Sequence, residues 1–332
     1  MATSFTPHLE LAASGRALTP EEMRGAIQLM LDGNVTDTES AGFLMALRVR
    51  GETVDEITAA ATVMREKAQR VEAPTGAIDT CGTGGDGSGT FNISTAVALV
   101  AAGCGLTVAK HGNKAASSKS VSNIHAEPAQ ITRSMEHAGV GFMFAAAHHK
   151  AVAHVAGVRT ALGVRTLFNM LGPLTNPAGA KRQLLGVYAK DRVEPLAKVL
   201  LKLGAETAWV VHGADGLDEI STTSETFVAA IDKGEVKTFS TSPEEAGLPR
   251  ASMSDLKGGG PEENAAAIRR LLDGEKGAYR DIVILNTAAA AIIGGKAKTI
   301  SDGAALAADA IDNGNGREAL NKLVHYSNEQ TK

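Results

Sequence analysis

The pattern of apolar and polar positions changes character near Pro74. Before it, the chain reads as a series of helices. Thr19-Pro20-Glu21-Glu22 supplies an N-cap, a proline at the first helical position and the glutamate of a capping box, and Asp32-Gly33 ends that helix. A second helix is expected from about Thr38 to Arg50, stopped by Gly51. Thr53 with Glu56 opens a third, running to about Arg70. After Pro74, short apolar runs alternate with helical ones. Strands are expected at Ala77–Asp79, Leu106–Ala109, Gly141–Phe144, Leu184–Val187 and Ala208–Val211. Lys233-Gly234, between Thr226–Ile231 and Val236–Phe239, marks a hairpin. Helices are expected over Thr95–Gly103, from Pro128, and over Val193–Leu203, Pro261–Leu272, Ile282–Ile293 and Asp302–Asp312. This alternation predicts the α/β class, with a mostly parallel central sheet covered by helices. The expected division is a helical N-terminal domain, residues 1–72, and a larger α/β domain, residues 73–332.

Composition narrows the picture. Of 332 residues, 44% are apolar, enough for a substantial core, and only twelve are aromatic, so that core is mostly Ala, Val, Leu and Ile. The most apolar segment, Thr95–Ala109, is short and broken by Gly103 and Gly105, which excludes a membrane span there. No secretory signal is visible in the first twenty residues, and a cytoplasmic location is expected. Cys81 and Cys104 lack metal-ligand spacing and read as free thiols rather than a disulfide. The net charge of -4 hides an uneven distribution. Between Gly87 and Lys190 ten lysines and arginines face two acids, Glu127 and Glu136. Such a block suits a small anionic ligand or nucleic acid, and a basic solvated surface is the competing reading.

Three clusters carry candidate chemistry. In Gly82-Thr83-Gly84-Gly85-Asp86-Gly87-Ser88-Gly89, five of eight residues are glycine, between a strand and a helix. Such a loop lets backbone N–H groups converge on a phosphate, with the helix dipole behind them. The loop satisfies G-x-G-x-x-G, but the next strand leads into Lys110-His111 with no acid for a ribose hydroxyl, which argues against a nicotinamide cofactor. No Gly-Lys-Ser/Thr follows, so a Walker loop is excluded as well. Lys110-His111-Gly112-Asn113-Lys114 and Ser117-Ser118-Lys119-Ser120 follow one strand later, on the same sheet edge in a parallel fold. Asp218-Glu219, after the strand ending at Val211, suits Mg²⁺, which binds few carboxylates and fills its shell with water and phosphate oxygens.

Together these runs closely resemble the anthranilate phosphoribosyltransferase family. The resemblance rests on Gly82–Gly87 with Asn92-Ile93-Ser94-Thr95, on Lys110–Asn113, on Phe168-Asn169-Met170-Leu171-Gly172-Pro173-Leu174-Thr175-Asn176-Pro177, and on Asp218-Glu219. It extends nearly end to end, from Leu18–Glu22 to Asn286–Ala290. The family moves ribose 5-phosphate from phosphoribosyl pyrophosphate onto the amine of anthranilate in tryptophan biosynthesis, releasing pyrophosphate, with Mg²⁺. The resemblance implies a helical domain, completed by a stretch near 165–185, that forms a homodimer. It also implies that Gly82, Gly85, Asp86, Thr90, Asn92, Ile93, Ser94, Thr95, Lys110, Ser117, Ser118 and Ser122 hold phosphoribosyl pyrophosphate. Gly82, His111, Asn113 and Arg159 would line the anthranilate path, with Arg165 the runner-up partner for its carboxylate. Ser94, Asp218 and Glu219 would hold Mg²⁺, and no residue is assigned as an acid or base.

One departure stands out. After Ser120 the family continues with a glycine and about two further helical turns, whereas this chain reads Val121-Ser122-Asn123-Ile124-His125-Ala126 and moves straight to the Pro128 helix. Val121 does not readily take positive φ. The same fold with activity impaired by this shortened loop is therefore one alternative. Others are a pyrimidine nucleoside phosphorylase, which would carry a lysine soon after Asp86, and a non-catalytic nucleic-acid-binding relative. The scarcity of aromatics weighs against base stacking, so no nucleic-acid partner and no membrane is expected.

Overall fold

The computed structural model describes residues 4–113 and 123–329. Helices α1 (Thr6–Ala13), α2 (Pro20–Leu31), α3 (Asp37–Arg50) and α4 (Val54–Lys67) come first. The short α1 is the one that the sequence pattern does not single out. Thr19, Thr36 and Thr53 each cap a helix, and in each case the glutamate three residues on closes a capping box. The buried faces bring together Met23, Ile27, Leu44, Leu47 and Ile57. Glu56 is the unusual member, a carboxylate with no exposed surface. It accepts hydrogen bonds from the Leu18 and Thr53 amides at 2.8 Å each, and Arg50 Nη2 reaches its two oxygens at 2.6 and 2.5 Å. Removing one partner of such a pair strands the other charge in the interior. Glu56→Ala is expected to lose about 3–5 kcal/mol in chemical denaturation. A loss below about 1 kcal/mol would show that Arg50 is solvated instead.

Beyond Pro74 the chain alternates strands and helices: β1 (Ile78–Gly82), α5 (Ile93–Gly103), β2 (Val108–Gly112), α6 (Pro128–Ala138), β3 (Val140–Phe144), α7 (Ala145–His148), α8 (Ala153–Leu162) and α9 (Leu167–Leu171). Then follow β4 (Arg182–Gly186), α10 (Val193–Lys202), β5 (Thr207–Gly213), β6 (Thr226–Asp232), β7 (Glu235–Thr241), and helices α11 (Pro261–Leu272), α12 (Ala278–Ile293), α13 (Ile300–Asp312) and α14 (Asn315–Asn328). The strand order is β3-β2-β1-β4-β5-β6-β7. The first five strands are parallel, and β6 and β7 add an antiparallel hairpin at one edge. The mostly parallel sheet expected from the sequence is therefore present. One face packs on α5 and α12, with α13 against these two helices, and α10 covers the other, with α4 against α10. Small side chains let helices approach closely: a Cβ on Gly103 would stand 2.7 Å from the Gly316 backbone. Helices α8 and α9 lie against α2, α3 and α4. Cys81 and Cys104 are free thiols, and no described helix is long and apolar enough to cross a membrane.

Strands β1 and β2 each run three residues further than the apolar pattern indicates, taking Lys110 and His111 into the sheet. The reason is local compensation. Lys110, only 2% exposed, donates from Nζ to Thr80 O at 2.6 Å and to Ser94 Oγ at 3.2 Å. Polar residues that bring their own partners can occupy buried strand positions.

Candidate active site

Parallel strands β1, β2, β4 and β5 end on one sheet edge, where ligands bind in open α/β folds. The glycine loop leaves β1 at Gly82. Gly84, Gly85 and Gly87 take φ values of 66°, 73° and 75°, a region that residues with a Cβ rarely adopt. The loop is held from several sides. Thr83 N donates to Gly186 O at 2.9 Å, Gly84 N to Asp218 Oδ2 at 2.7 Å, and Lys257 Nζ to Ser88 O at 2.6 Å. Asp86 accepts from Ser88 N at 3.1 Å and from Ser88 Oγ at 2.6 Å.

Beneath the loop lies a buried polar network. Asp79 Oδ1 accepts from His111 N at 3.1 Å, and its Oδ2 from Asn176 Nδ2 at 2.7 Å. Asn176 also donates to Ala109 O at 2.8 Å. Burial raises the Asp79 carboxyl, with the Lys110 charge opposing. Burial and the nearby His149 and His148 push His111 down to about 3, and burial with His148 takes His149 down to about 4. Both rings are therefore neutral near pH 7. Their centroids stand 5.2 Å apart, and His111 Nε2 is buried without a hydrogen-bond partner among the described residues.

A folded-state pKa below the unfolded value of about 6.5 means that the unfolded chain binds more protons between roughly pH 6.5 and 3, so this contribution to stability is lost as pH falls through that window. Removing His111 and His149 together (His111→Asn, His149→Asn) is expected to flatten the fall in unfolding free energy, with a difference on the order of 6 kcal/mol between pH 7 and pH 4, about half from each ring. Parallel curves for wild type and variant would contradict this.

Asp218 and Glu219 follow β5 on the far wall. Partial burial, with Asp86 nearby, raises Asp218 to about 6. Glu219 is raised well above its usual range by burial and by Asp218, with Lys110 opposing and the Ser94 backbone bonded to it. Two adjacent carboxylates pushed up in this way are an oxygen donor set that needs a cation to ionise fully. They fit Mg²⁺, with Ser94 beside Glu219. Among the described residues no three His, Cys, Asp or Glu side chains converge on one point. Phosphate oxygens and water would therefore complete the shell.

One cavity of about 850 Å³ unites these groups. Gly82, Asp86, Thr90, Asn92, Ile93, Ser94, Lys110, His111, Asn113, Arg159, Asp218 and Glu219 all line it. Gly85 and Thr95 do not: Gly85 lies on the outer side of the loop and Thr95 is buried in α5. Ser117, Ser118, Ser122 and Val121 lie outside the described residues. The cavity also takes in Met64, His149 and Phe168. Phe168 stands under the Arg159 guanidinium at 5.7 Å. His149 faces the cavity while its neighbour His148 bonds Gln69 O at 2.9 Å. Asp79 and Gly186 carry supporting roles that no sequence signal marked, and Asn176, which lies in the Phe168–Pro177 run, was given no role there.

Comparison with known proteins agrees with this arrangement. Residues 74–317 match the glycosyl transferase family a/b domain, and residues 6–68 match its helical bundle domain. A relative from Parvibaculum lavamentivorans, an anthranilate phosphoribosyltransferase, is 58% identical, with 98% of each chain covered. The chain belongs to the anthranilate phosphoribosyltransferase family. The crystal structure of the Thermus thermophilus anthranilate phosphoribosyltransferase superposes with a TM-score of 0.91 at 42% identity, covering 97% of this chain and 99% of that one. The Saccharomyces cerevisiae anthranilate phosphoribosyltransferase in complex with PRPP and Mg superposes with a TM-score of 0.88 at 28% identity, covering 97% of each. Membership of this family argues against both the phosphorylase and the non-catalytic reading.

Proposed function

We infer that the chain, like its family, transfers the 5-phosphoribosyl group of phosphoribosyl pyrophosphate to anthranilate, giving N-(5-phosphoribosyl)anthranilate and pyrophosphate in tryptophan biosynthesis, and that the cavity is where this happens. The observation that carries the reading is the convergence of a glycine loop, Lys110, Asp218-Glu219 and Arg159 on one space. The glycine loop, Thr90 and the α5 N-terminus, where Asn92 and Ser94 stand, receive the sugar phosphate and pyrophosphate. Backbone N–H groups and the helix dipole favour anions there. Lys110 supplies a buried positive charge. Asp218, Glu219 and Ser94 hold Mg²⁺, which when bound neutralises charge on the pyrophosphate. Arg159, half-buried with no carboxylate partner among the described residues, receives the anthranilate carboxylate between Phe168 and the loop. His111 and Asn113 line the approach. The amine of an aromatic acid attacks without strong base help. The chain's task is therefore to orient the amine and stabilise departing charge in a dry pocket.

The helical unit, residues 1–72 with a completing stretch near 165–185, is the surface through which two copies pair. Val49 on α3 and Val164 beside α8 are exposed on elements that pack together, which supports this. Arg159→Met tests the substrate assignment. Its KM for anthranilate is expected to rise about 10- to 100-fold, with the KM for phosphoribosyl pyrophosphate little changed. A rise in the second constant alone would move Arg159 to the phosphate side.

A further inference from the structure

We propose that Arg165 is a positioning residue that fixes the crest of the glycine loop and ties it to the helical bundle through Arg48. The inference rests on the proposed function of this cavity and adds a component to it. Arg165 precedes α9 and is not among the residues that line the cavity. Its guanidinium lies over the Tyr188 ring at 4.1 Å, and its Nη2 donates to Gly85 O. Its own backbone carbonyl accepts from Arg48 Nη1 of α3. A continuous chain of contacts thus runs from α3 through Arg165 to Gly85.

The loop needs such a hold. Four glycines at positive φ, Gly84, Gly85, Gly87 and Gly89, leave the backbone many accessible conformations, and order must be imposed from outside. Its beginning is fixed by Gly186 and Asp218, and its end by Lys257. Gly85 lies between these two anchors, and Arg165 is the partner on its carbonyl. Stacking on Tyr188 limits the guanidinium to one plane, so that it meets the carbonyl already oriented. No carboxylate pairs with Arg165 among the described residues, so its charge is directed to this carbonyl and the ring. The same contacts give Arg165 a task other than receiving the anthranilate carboxylate.

The test is amide hydrogen exchange on the full-length protein without substrates, followed by steady-state kinetics. In Arg165→Met the amides of Gly84 to Ser88 are expected to exchange about tenfold faster, while those of buried α12 stay as slow as in wild type. The KM for phosphoribosyl pyrophosphate should rise about tenfold, with that for anthranilate nearly unchanged. Arg48→Met, which leaves the loop's direct contacts intact, should move both readouts the same way by less. Combined with Arg165→Met it should add nothing further. Unchanged exchange at Gly84 to Ser88 would overturn the proposal, as would an effect confined to the anthranilate KM. Because exchange is read without turnover, it decides the clamp even if wild-type protein consumes no anthranilate, and that second result would fall on the functional reading alone.

Discussion

Replacing Asp218 and Glu219 together by alanine is expected to abolish turnover, at least 1000-fold, while leaving the thermal midpoint unchanged or raised. The kinetic half follows from the proposed chemistry. Charge on the departing pyrophosphate has to be neutralised, and removing one preorganised electrostatic group from such a site costs about 100- to 1000-fold. Both carboxylates go in this variant. The stability half follows from their environment. Each is raised by burial and by neighbouring acids, Asp218 to about 6, so each is held at a cost in the metal-free fold. Deleting them removes that repulsion, and the Gly84 amide loses its 2.7 Å bond at an exposed position where water replaces it. Steady-state rates and melting curves on the same preparation check both halves. Loss of activity together with a markedly lower midpoint would mean that the acids hold the fold rather than the metal. A chelator should inactivate wild type to the same extent, and added Mg²⁺ should restore it.

The second large effect is expected at a residue with no chemistry of its own. Gly186 ends β4, in register with Gly82 at the end of β1. A Cβ on Gly186 would lie 1.6 Å from the Asp218 carbonyl oxygen, and one on Gly82 2.6 Å from Asp218 Oδ2. Two adjacent strands are thus bare where the acidic segment crosses them. Gly186→Ala cannot be accommodated without moving the Asp218 backbone, since the obstructing atom is main chain. A displacement of about 1 Å at a reacting group costs on the order of 100-fold, and overpacking adds roughly 1–3 kcal/mol of instability. The rate of Gly186→Ala is therefore expected to fall about 100-fold with the protein still folded, and the Mg²⁺ concentration for half-maximal rate to rise. A variant with wild-type kinetics would show that the Asp218 segment is free to shift.

Much of this site could be read from the chain because phosphate chemistry leaves local signatures. The glycine loop, Asn92–Thr95 and Asp218-Glu219 each form contiguous runs at strand ends, and the structure brings their members around one cavity. The helix boundaries at Thr19 and Thr53 were legible for the same reason, since a capping box is written within four residues. Other features depend on partners distant in sequence. Lys110 and His111 looked like loop residues because their charge and polarity are matched by Thr80, Ser94 and Asp79, which only folding brings near. Asn176 meets Asp79 across 97 positions, and Gly186 is defined by a backbone contact that no pattern of side chains encodes. Gly85 and Thr95 show the opposite limit: they belong to a legible motif but do not line the cavity, so their part is to shape the loop and the helix entrance.

Anthranilate's own fluorescence reports directly whether this cavity joins anthranilate to the phosphoribosyl group. With folded wild-type protein, fluorescence is predicted to fall steadily once phosphoribosyl pyrophosphate and Mg²⁺ are both present, and to hold constant when either is left out. No consumption of anthranilate at high enzyme concentration, from protein with a cooperative melting transition, would contradict the account.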